Sequence, residues 1–149
     1  MTTIAANKFQ IAGDRQANHS GGMKFRLKTK LYSFDNPLIY HKPFHIGMCG
    51  NVEEFSKIVD YFTDSMSHKK APRLNKGEAL VLSEDGKLWT FSVANNWIPI
   101  DQPYYAIGSG MNFAMGALAS GASPYDAIKY TSTLCTKTGM GVTKIDINV

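Results

Sequence analysis

A strand pattern that begins at the second residue is the strongest constraint on this chain. Residues 2–6 and 9–13 are two short, mostly apolar runs around an Asn7-Lys8 turn, which predicts a β-hairpin. A strand that starts so early makes the amino terminus part of the folded structure. The terminus is then also a candidate for chemistry, because Thr2 carries a hydroxyl group there.

Later runs alternate apolar and polar residues in the same way. The clearest is the hairpin EALVLSEDGKLWTFSV, whose two halves flank an Asp85-Gly86 turn. Further strands are predicted at KLYSF, PFHIGMCG, YYAIGSG and GVTKIDINV. Because hairpins join neighbouring strands, we expect antiparallel sheets.

Three other segments carry helical signals. Asn51 can cap a helix through residues 52–66, where apolar residues recur with the helical period. Residues 111–121 form a short helix of small and apolar residues that ends in glycine. Ser123 and Pro124 supply an N-cap and a first helical residue for a third helix. The order of strands, one helix, strands, two helices and a strand predicts a layered α+β fold.

The composition is that of an ordinary globular chain. Its 149 residues are 44% hydrophobic and 19% charged, which fits one domain covering residues 1–149. No apolar run approaches the roughly 18 residues that a membrane helix needs, and the start lacks a secretory signal pattern. We therefore expect a cytoplasmic protein with no membrane partner. Cys49 and Cys135 form neither a zinc motif nor a disulfide framework, so we predict reduced core thiols, no metal and no cofactor.

The formal net charge of +4 comes from two basic stretches, MKFRLKTK and SHKKAPRLNK. Such clusters occur in nucleic-acid-binding proteins. No nucleic-acid motif accompanies them here, and aromatic residues do not interleave with them. Solvated loops and strand edges are the favoured interpretation, and nucleic acid is not an expected partner.

The threonine at position 2 supports two interpretations. Removal of Met1, which is usual before a small residue, would leave Thr2 with a free α-amino group. That amine has a pKa of about 7.7–8.0 and can serve as general base for the adjacent hydroxyl. On the letters MTT alone, a β-prone strand residue is the simpler interpretation.

Four later positions, read together with this hairpin, resemble the proteasome β-subunit and HslV-type peptidase family. The family opens with a threonine pair, a hairpin and an aspartate, matched by TTIAANKFQIAGD with Asp14. Its lysine follows sixteen positions later, at Lys30. HIGMCGNVEEF and AIGSGMNFAMGAL match two further family segments, with Gly50 and Ser109. The resemblance spans nearly the whole chain. It implies the Ntn-hydrolase fold, a four-layer αββα sandwich of two antiparallel sheets.

The resemblance also implies a role for each matched residue. Thr2 would be the nucleophile, Lys30 would keep its amine unprotonated, and Asp14 would hold Lys30 in place. The Gly50 N–H would form the oxyanion hole, and Ser109 would hydrogen-bond the terminal amine. Taken one at a time, a surface ion pair, a turn glycine and a helix cap are simpler interpretations. The joint pattern is what favours the peptidase.

The family comparison extends to a substrate pocket. By the same resemblance, Tyr32, Met48 and Val52 fall near the pocket that receives the side chain before the scissile bond. All three are apolar or aromatic. They predict cleavage after neutral or apolar residues.

Two departures from the family pattern qualify this expectation. Only SHKKAPRLNKGE separates the first helix from the ALVLS strand, so one family helix is expected to be missing. That puts a double ring, and the identity of an ATPase partner, in question. The stretch TLCTKTGMG around Cys135 also lacks an aspartate that the family often carries there. A weakened relay, a backbone substitute and an inactive relative all remain open.

The preferred function is a threonine-type endopeptidase that acts on peptides or unfolded proteins within a homo-oligomeric ring, with an ATPase unfoldase as an implied partner. The alternative is a catalytically inactive, ring-forming scaffold or decoy that assembles with itself or with a host complex. A different N-terminal-nucleophile amidase for small amides would share the same terminus and also stays open.

Overall fold

The computed structural model describes residues 2–18, 22–63, 77–91 and 97–148. Within them, eleven strands and three α-helices follow one another in the predicted order. The strands are β1 Thr3–Asn7, β2 Gln10–Asp14, β3 Gln16–Asn18, β4 Lys24–Arg26, β5 Leu31–Phe34, β6 Phe44–Cys49, β7 Glu78–Ser83, β8 Leu88–Phe91, β9 Trp97–Ile100, β10 Tyr104–Gly108 and β11 Val142–Asp146. The helices are α1 Phe55–Thr63, preceded by a 3₁₀ turn at Val52–Glu54, α2 Met111–Ala119 and α3 Pro124–Ser132.

Two large antiparallel sheets carry the fold. One has the strand order β10-β1-β2-β11, and the other has the order β5-β6-β7-β8-β9. The register of the first sheet pairs Thr3 with Gly108 and Ile4 with Gly13. A separate two-stranded ribbon, β3–β4, projects from the end of β2.

Three apolar clusters separate four layers. Residues such as Ile4, Ile11 and Leu80 fill the space between the two sheets. A second cluster of large side chains packs α1 onto the five-stranded sheet. On the other outer face, alanines of β1, β2 and β10 let α2 and α3 approach the four-stranded sheet closely. This arrangement confirms the predicted α+β, four-layer αββα sandwich of antiparallel sheets.

Local signals for helix starts are confirmed. The Asn51 side chain accepts a hydrogen bond from the Glu53 N–H at the start of the 3₁₀ turn. Ser123 accepts one from the Asp126 N–H, with Pro124 in the first turn of α3. Among the described residues, no helix is long and apolar enough to cross a membrane.

Two details differ from the sequence-based expectations, and a third concerns residues outside the described ranges. The short strands β3 and β4 were not predicted from the sequence. Strand β9 was not predicted at all. The expected loss of a family helix concerns residues 64–76, which lie outside the described residues.

Candidate active site

Three of the predicted site residues lie at one end of the sandwich because of the strand register. Thr2 precedes β1, and Asp14 ends the neighbouring strand β2. Lys30 immediately precedes β5 in the facing sheet, where its carbonyl accepts a hydrogen bond from the Met48 N–H on β6. Residues from both sheets therefore converge at this end.

We call Thr2, Asp14 and Lys30 the amino-terminal cluster. The Thr2 hydroxyl donates to Asp14 Oδ1 and accepts a hydrogen bond from Lys30 Nζ. Lys30 Nζ also lies 3.0 Å from Asp14 Oδ1. All three residues are buried, at 2%, 0% and 1% exposure. A hydroxyl oxygen held between a cation and a carboxylate is polarised in the direction that nucleophilic attack requires.

The environment of Lys30 is unusual for a lysine. Its ammonium group donates to Thr2, to Asp14 and to the Gln16 carbonyl, so its three N–H groups have partners. Burial lowers the pKa of Lys30 below its usual value, while the Asp14 carboxylate acts in the opposite direction. Asp14 is therefore the partner that keeps a cation in this enclosed position.

Backbone N–H groups hold the Asp14 carboxylate. Its oxygens accept hydrogen bonds from the N–H groups of Thr3 at 3.2 Å, Gln16 at 3.3 Å and Gly139 at 3.0 Å. The Gly139 contact joins the carboxy-terminal loop to the site. A backbone donor therefore reaches the cluster from the stretch TLCTKTGMG, where the sequence has no acidic side chain.

The segment after β10 encloses the backbone of Thr2. The Ser109 N–H donates to the Thr2 carbonyl at 2.8 Å. Gly108 has a φ of +98°, and a Cβ there would lie 1.8 Å from the Thr2 carbonyl oxygen. Only glycine fits a position that is both in the left-handed region and this close to another backbone.

The remaining predicted residues are less directly connected. Gly50, with φ +105°, follows β6 at the same end of the five-stranded sheet and leads into the Asn51-capped turn. Among the described hydrogen bonds, it makes none with the amino-terminal cluster. Ser109 is exposed and is joined to Thr2 through its backbone.

The predicted pocket residues share one apolar cluster. Met48 is 2% exposed and packs with α1, and Tyr32 and Val52 lie partly buried against the same cluster. Tyr32 is paired with Ile46 across β5 and β6. Their role in substrate selection stays a prediction.

Several residues that the sequence did not single out support this end. Thr3 Oγ1 lies 2.8 Å from Thr138 Oγ1 and accepts the Gly110 N–H at 3.0 Å. Both threonines are buried. Gln16 donates through Nε2 to the Thr136 carbonyl at 3.0 Å. The glycines Gly108 and Gly110 of the GSG segment were the available sequence signal, whereas nothing in the sequence indicated the contact between Thr3 and Thr138. Over the described residues, no group of three His, Cys, Asp or Glu could hold a metal ion.

Comparison with known proteins gives relatives in sequence. No protein-family model matches the chain. The ATP-dependent protease subunit HslV of Lacticaseibacillus casei (strain BL23) is 30% identical over 138 residues, which cover 78% of this chain and 77% of that protein. HslV of Lacticaseibacillus paracasei matches with the same identity and coverage.

Solved structures share the fold at low sequence identity. Thiobacillus denitrificans BPH in complex with epoxomicin is similar with a TM-score of 0.71 and 14% identity, covering 99% of both chains. HslV from Trypanosoma brucei is similar with a TM-score of 0.69 and 14% identity, again over 99% of both chains. An Anbu mutant from Hyphomicrobium reaches a TM-score of 0.75 over 99% of this chain and 82% of that one.

The αββα layers, with a threonine at the start of the first strand, define an α+β fold of the HslV and proteasome β type. The sequence match narrows this class. The chain belongs to the HslV-type peptidase family.

Proposed function

We propose that this chain is a threonine-type endopeptidase whose nucleophile is the hydroxyl of Thr2 after removal of Met1. One observation carries the proposal: the Thr2 hydroxyl is hydrogen-bonded to both Lys30 and Asp14 in a buried cluster. A buried cation and carboxylate are costly to maintain, so their convergence on one hydroxyl favours a chemical role over a structural one.

The reaction proceeds in two steps. The Thr2 hydroxyl attacks the peptide carbonyl, and its proton passes by way of the Thr2 amine to the departing amine. The Gly50 N–H stabilises the negative charge that develops on the carbonyl oxygen. Ser109 hydrogen-bonds the terminal amine and assists the proton transfer. Water then hydrolyses the ester on Thr2, which releases the acid and restores the hydroxyl.

Lys30 and Asp14 prepare the nucleophile. The positive charge of Lys30 disfavours a second cation nearby, so more of the Thr2 amine remains neutral near pH 7. Asp14 orients Lys30, and it is fixed in turn by the three backbone donors from Thr3, Gln16 and Gly139. The Gly139 donor supports the backbone substitute among the three interpretations of the loop without an aspartate.

Assembly and partners follow from the family. The Lacticaseibacillus relatives are named as subunits of an ATP-dependent protease. We therefore propose a cytoplasmic homo-oligomeric ring that receives peptides or unfolded proteins, with an ATPase unfoldase as partner. Light scattering at working concentration tests the ring, and a monomer would contradict it.

A catalytically inactive scaffold is the second candidate. One feature of the sequence favours it: residues 133–141 contain no acidic side chain. Intact mass separates the two candidates first. If purified protein retains Met1, Thr2 has no free amine and that material cannot use the proposed base.

Peptide turnover provides the decisive test. A fluorogenic peptide series is assayed with wild type, Thr2→Ala, Lys30→Ala and the matched control Thr2→Ser, which keeps both hydroxyl and amine. We expect loss of at least about 100-fold in Thr2→Ala and Lys30→Ala and measurable turnover in Thr2→Ser. Equal turnover in all four proteins would exclude the mechanism.

The same assay tests specificity. Since Tyr32, Met48 and Val52 lie in one apolar cluster, we propose cleavage after neutral or apolar residues. A preference for acidic residues immediately before the scissile bond would contradict this assignment.

A further inference from the structure

The β3–β4 ribbon beside the proposed active site has an unbalanced charge. Between Arg15 and Phe34 the sequence contains five Lys or Arg residues and no acidic residue. Four of the five recur at every second position, from Lys24 to Lys30. The last of these is in the amino-terminal cluster, where Asp14 neutralises it. Among the residues that the structure describes, no carboxylate forms an ion pair with the other four.

The ribbon is joined directly to the site. Arg26 is paired with Gln16 across β3 and β4, and Lys24 is paired with Asn18. Gln16 touches both charged members of the amino-terminal cluster, since its N–H donates to Asp14 and its carbonyl accepts from Lys30. Paired strand residues are about 5 Å apart, so Arg26 lies one strand away from the site. That is within the screening length of about 10 Å at 0.1 M salt.

A third cation lies in the loop that Gln16 contacts. Cross-strand pairs share a face, so Lys24 and Arg26 lie on the face of Asn18 and Gln16. The Gln16 side chain donates to the carbonyl of Thr136, whose neighbour Lys137 is exposed. We call Lys24, Arg26 and Lys137 the basic rim. All three are exposed, and no carboxylate of the described residues pairs with them.

The segment that follows β6, at the same end of the five-stranded sheet, contains acidic residues. The segment after Gly50 contains Glu53, which is exposed, and Glu54, which is buried. A peptide lying across Thr2 would therefore meet cations on the side of the ribbon. Charges beside a binding site change the rate at which a peptide binds and the orientation in which it binds, more than they change the rate of bond cleavage.

We propose that the basic rim binds acidic residues that flank the cleaved bond, so that the chain prefers peptide substrates with an acidic segment on the ribbon side. This rests on the proposed peptidase function and names its substrate class. It concerns residues away from the cut, and the residue immediately before the bond stays neutral or apolar.

Three fluorogenic peptides test the proposal. They share one apolar residue before the cut and differ only in the flanking pair, Glu-Glu, Gln-Gln or Lys-Lys, placed in turn on each side. We expect kcat/KM to fall in that order on one side, with a ratio of Glu-Glu to Gln-Gln of about fivefold at low salt. The ratio should approach one at about 1 M salt. Equal kcat/KM for the Glu-Glu and Gln-Gln peptides on both sides would overturn the proposal.

A charge-matched pair of variants assigns the effect to the rim. The double variant Lys24→Gln/Arg26→Gln should reduce the Glu-Glu to Gln-Gln ratio to about twofold or less. The control Lys8→Gln/Lys87→Gln removes the same net charge from the β1–β2 and β7–β8 turns at the other end of the sheets, and should keep the wild-type ratio. An unchanged ratio in the rim variant, or an equal loss in both variants, would overturn the assignment.

A binding measurement separates this proposal from the peptidase itself. Fluorescence anisotropy of labelled Glu-Glu and Gln-Gln peptides is measured on the Thr2→Ala protein, which needs no turnover. A salt-sensitive preference for the acidic peptide that disappears in Lys24→Gln/Arg26→Gln supports the rim even if wild type proves inactive. Equal Kd values for the two peptides would overturn it even if wild type is an active peptidase.

Discussion

Two polar clusters of this molecule have the same kinds of group in very different settings. In the amino-terminal cluster, a hydroxyl, an amine and a carboxylate belong to Thr2, Lys30 and Asp14. In the second, which we call the His45 cluster, Ser33 Oγ lies 2.8 Å from His45 Nδ1, and His45 Nε2 lies 2.7 Å from Glu84 Oε1. In both, hydrogen bonds join a hydroxyl group, a nitrogen group and a carboxylate.

The two clusters differ in how far their side chains are buried. The amino-terminal cluster is shut between two sheets, and the Asp14 carboxylate also receives three backbone N–H groups. In the His45 cluster, Ser33 is exposed and the Glu84 side chain keeps 35% of its surface in solvent. Solvent weakens electrostatic coupling, whereas burial strengthens it and makes an unpaired charge expensive. Side-chain types alone therefore do not distinguish a reactive cluster from a surface network.

Substitution of Lys30 should have the largest effect on the free energy of unfolding, and it tests directly whether burial makes this cluster sensitive to the loss of one charge. Lys30→Met leaves the Asp14 carboxylate buried without its cation. We expect the free energy of unfolding to fall by about 3–5 kcal/mol. Urea denaturation measures it, and peptide turnover should be lost in parallel.

A second substitution separates charge from packing. In Lys30→Met/Asp14→Asn no unpaired carboxylate remains, and the Asn oxygen can still accept the Gln16 and Gly139 N–H groups that bond to Oδ2 of Asp14. This double variant should be more stable than Lys30→Met alone, yet equally inactive. If it is less stable than the single variant, burial of an unpaired charge is not the cause of the loss.

The tight backbone approach at Gly108 gives the next largest effect. A Cβ at this position would collide with the Thr2 carbonyl oxygen, and its φ of +98° strains any other residue. Gly108→Ala should cost about 2–4 kcal/mol and displace Thr2, with loss of turnover. The control is Gly116→Ala within α2, where nothing lies within 4 Å of the added carbon. That change should stabilise the protein by about 0.5–1 kcal/mol. Similar results for both alanines would contradict the role of Gly108.

Local signals explain which parts of the fold could be predicted. The β1–β2 hairpin and the helix caps Asn51 and Ser123 could be predicted from the sequence, because they depend only on neighbouring residues. Strand β9 was not, because Pro99 argues against a strand. It is tolerated because β9 is at the edge of its sheet, where a missing N–H does not interrupt a ladder. The ribbon strands β3 and β4 have three residues each, too few for a periodic pattern.

The candidate site was predictable only in part, for a related reason. Thr2, Asp14 and Lys30 were found through their spacing within one family pattern, and the structure brings them together. The bond between Thr3 and Thr138 joins residues 135 positions apart, and the bond between Gly139 and Asp14 joins residues 125 apart. No local sequence pattern predicts contacts between residues so far apart in the chain. The family comparison drew attention to a missing acidic side chain in this loop and gave no sign of the backbone donor.

Cys49 is another buried ionisable group at the same end of the molecule as the amino-terminal cluster, and its burial makes stability depend on pH. Burial, with Glu78 opposite it on β7, raises the pKa of the Cys49 thiol to about 12. An exposed thiol has a pKa of about 8.5. Because the folded value is the higher one, this contribution to stability is complete below about pH 8.5 and is lost as pH rises toward 12.

The pH effect can be isolated with Cys49→Ala. Between pH 8.5 and 10, wild type should lose about 1.5 kcal/mol more unfolding free energy than the variant. The lowered pKa of Lys30 has the opposite sign, since it favours folding as pH rises; both proteins contain Lys30, and only its electrostatic coupling to Cys49 differs between them. Urea denaturation at the two pH values measures this. Parallel pH profiles would show that Cys49 ionises as readily in the folded chain as in the unfolded one.

The smallest effect is expected in the His45 cluster, and it completes the comparison. Glu84→Gln keeps an acceptor for His45 Nε2 and removes only a charge that is one third exposed. We expect a change in unfolding free energy below about 1 kcal/mol and unchanged peptide turnover. Ser33→Ala should behave in the same way, because its hydroxyl lies at the exposed end of the chain of hydrogen bonds. If either substitution reduces turnover more than about threefold, a change of roughly 0.6 kcal/mol, then this partly exposed network is coupled to the active end, and enclosure is not what separates the two clusters.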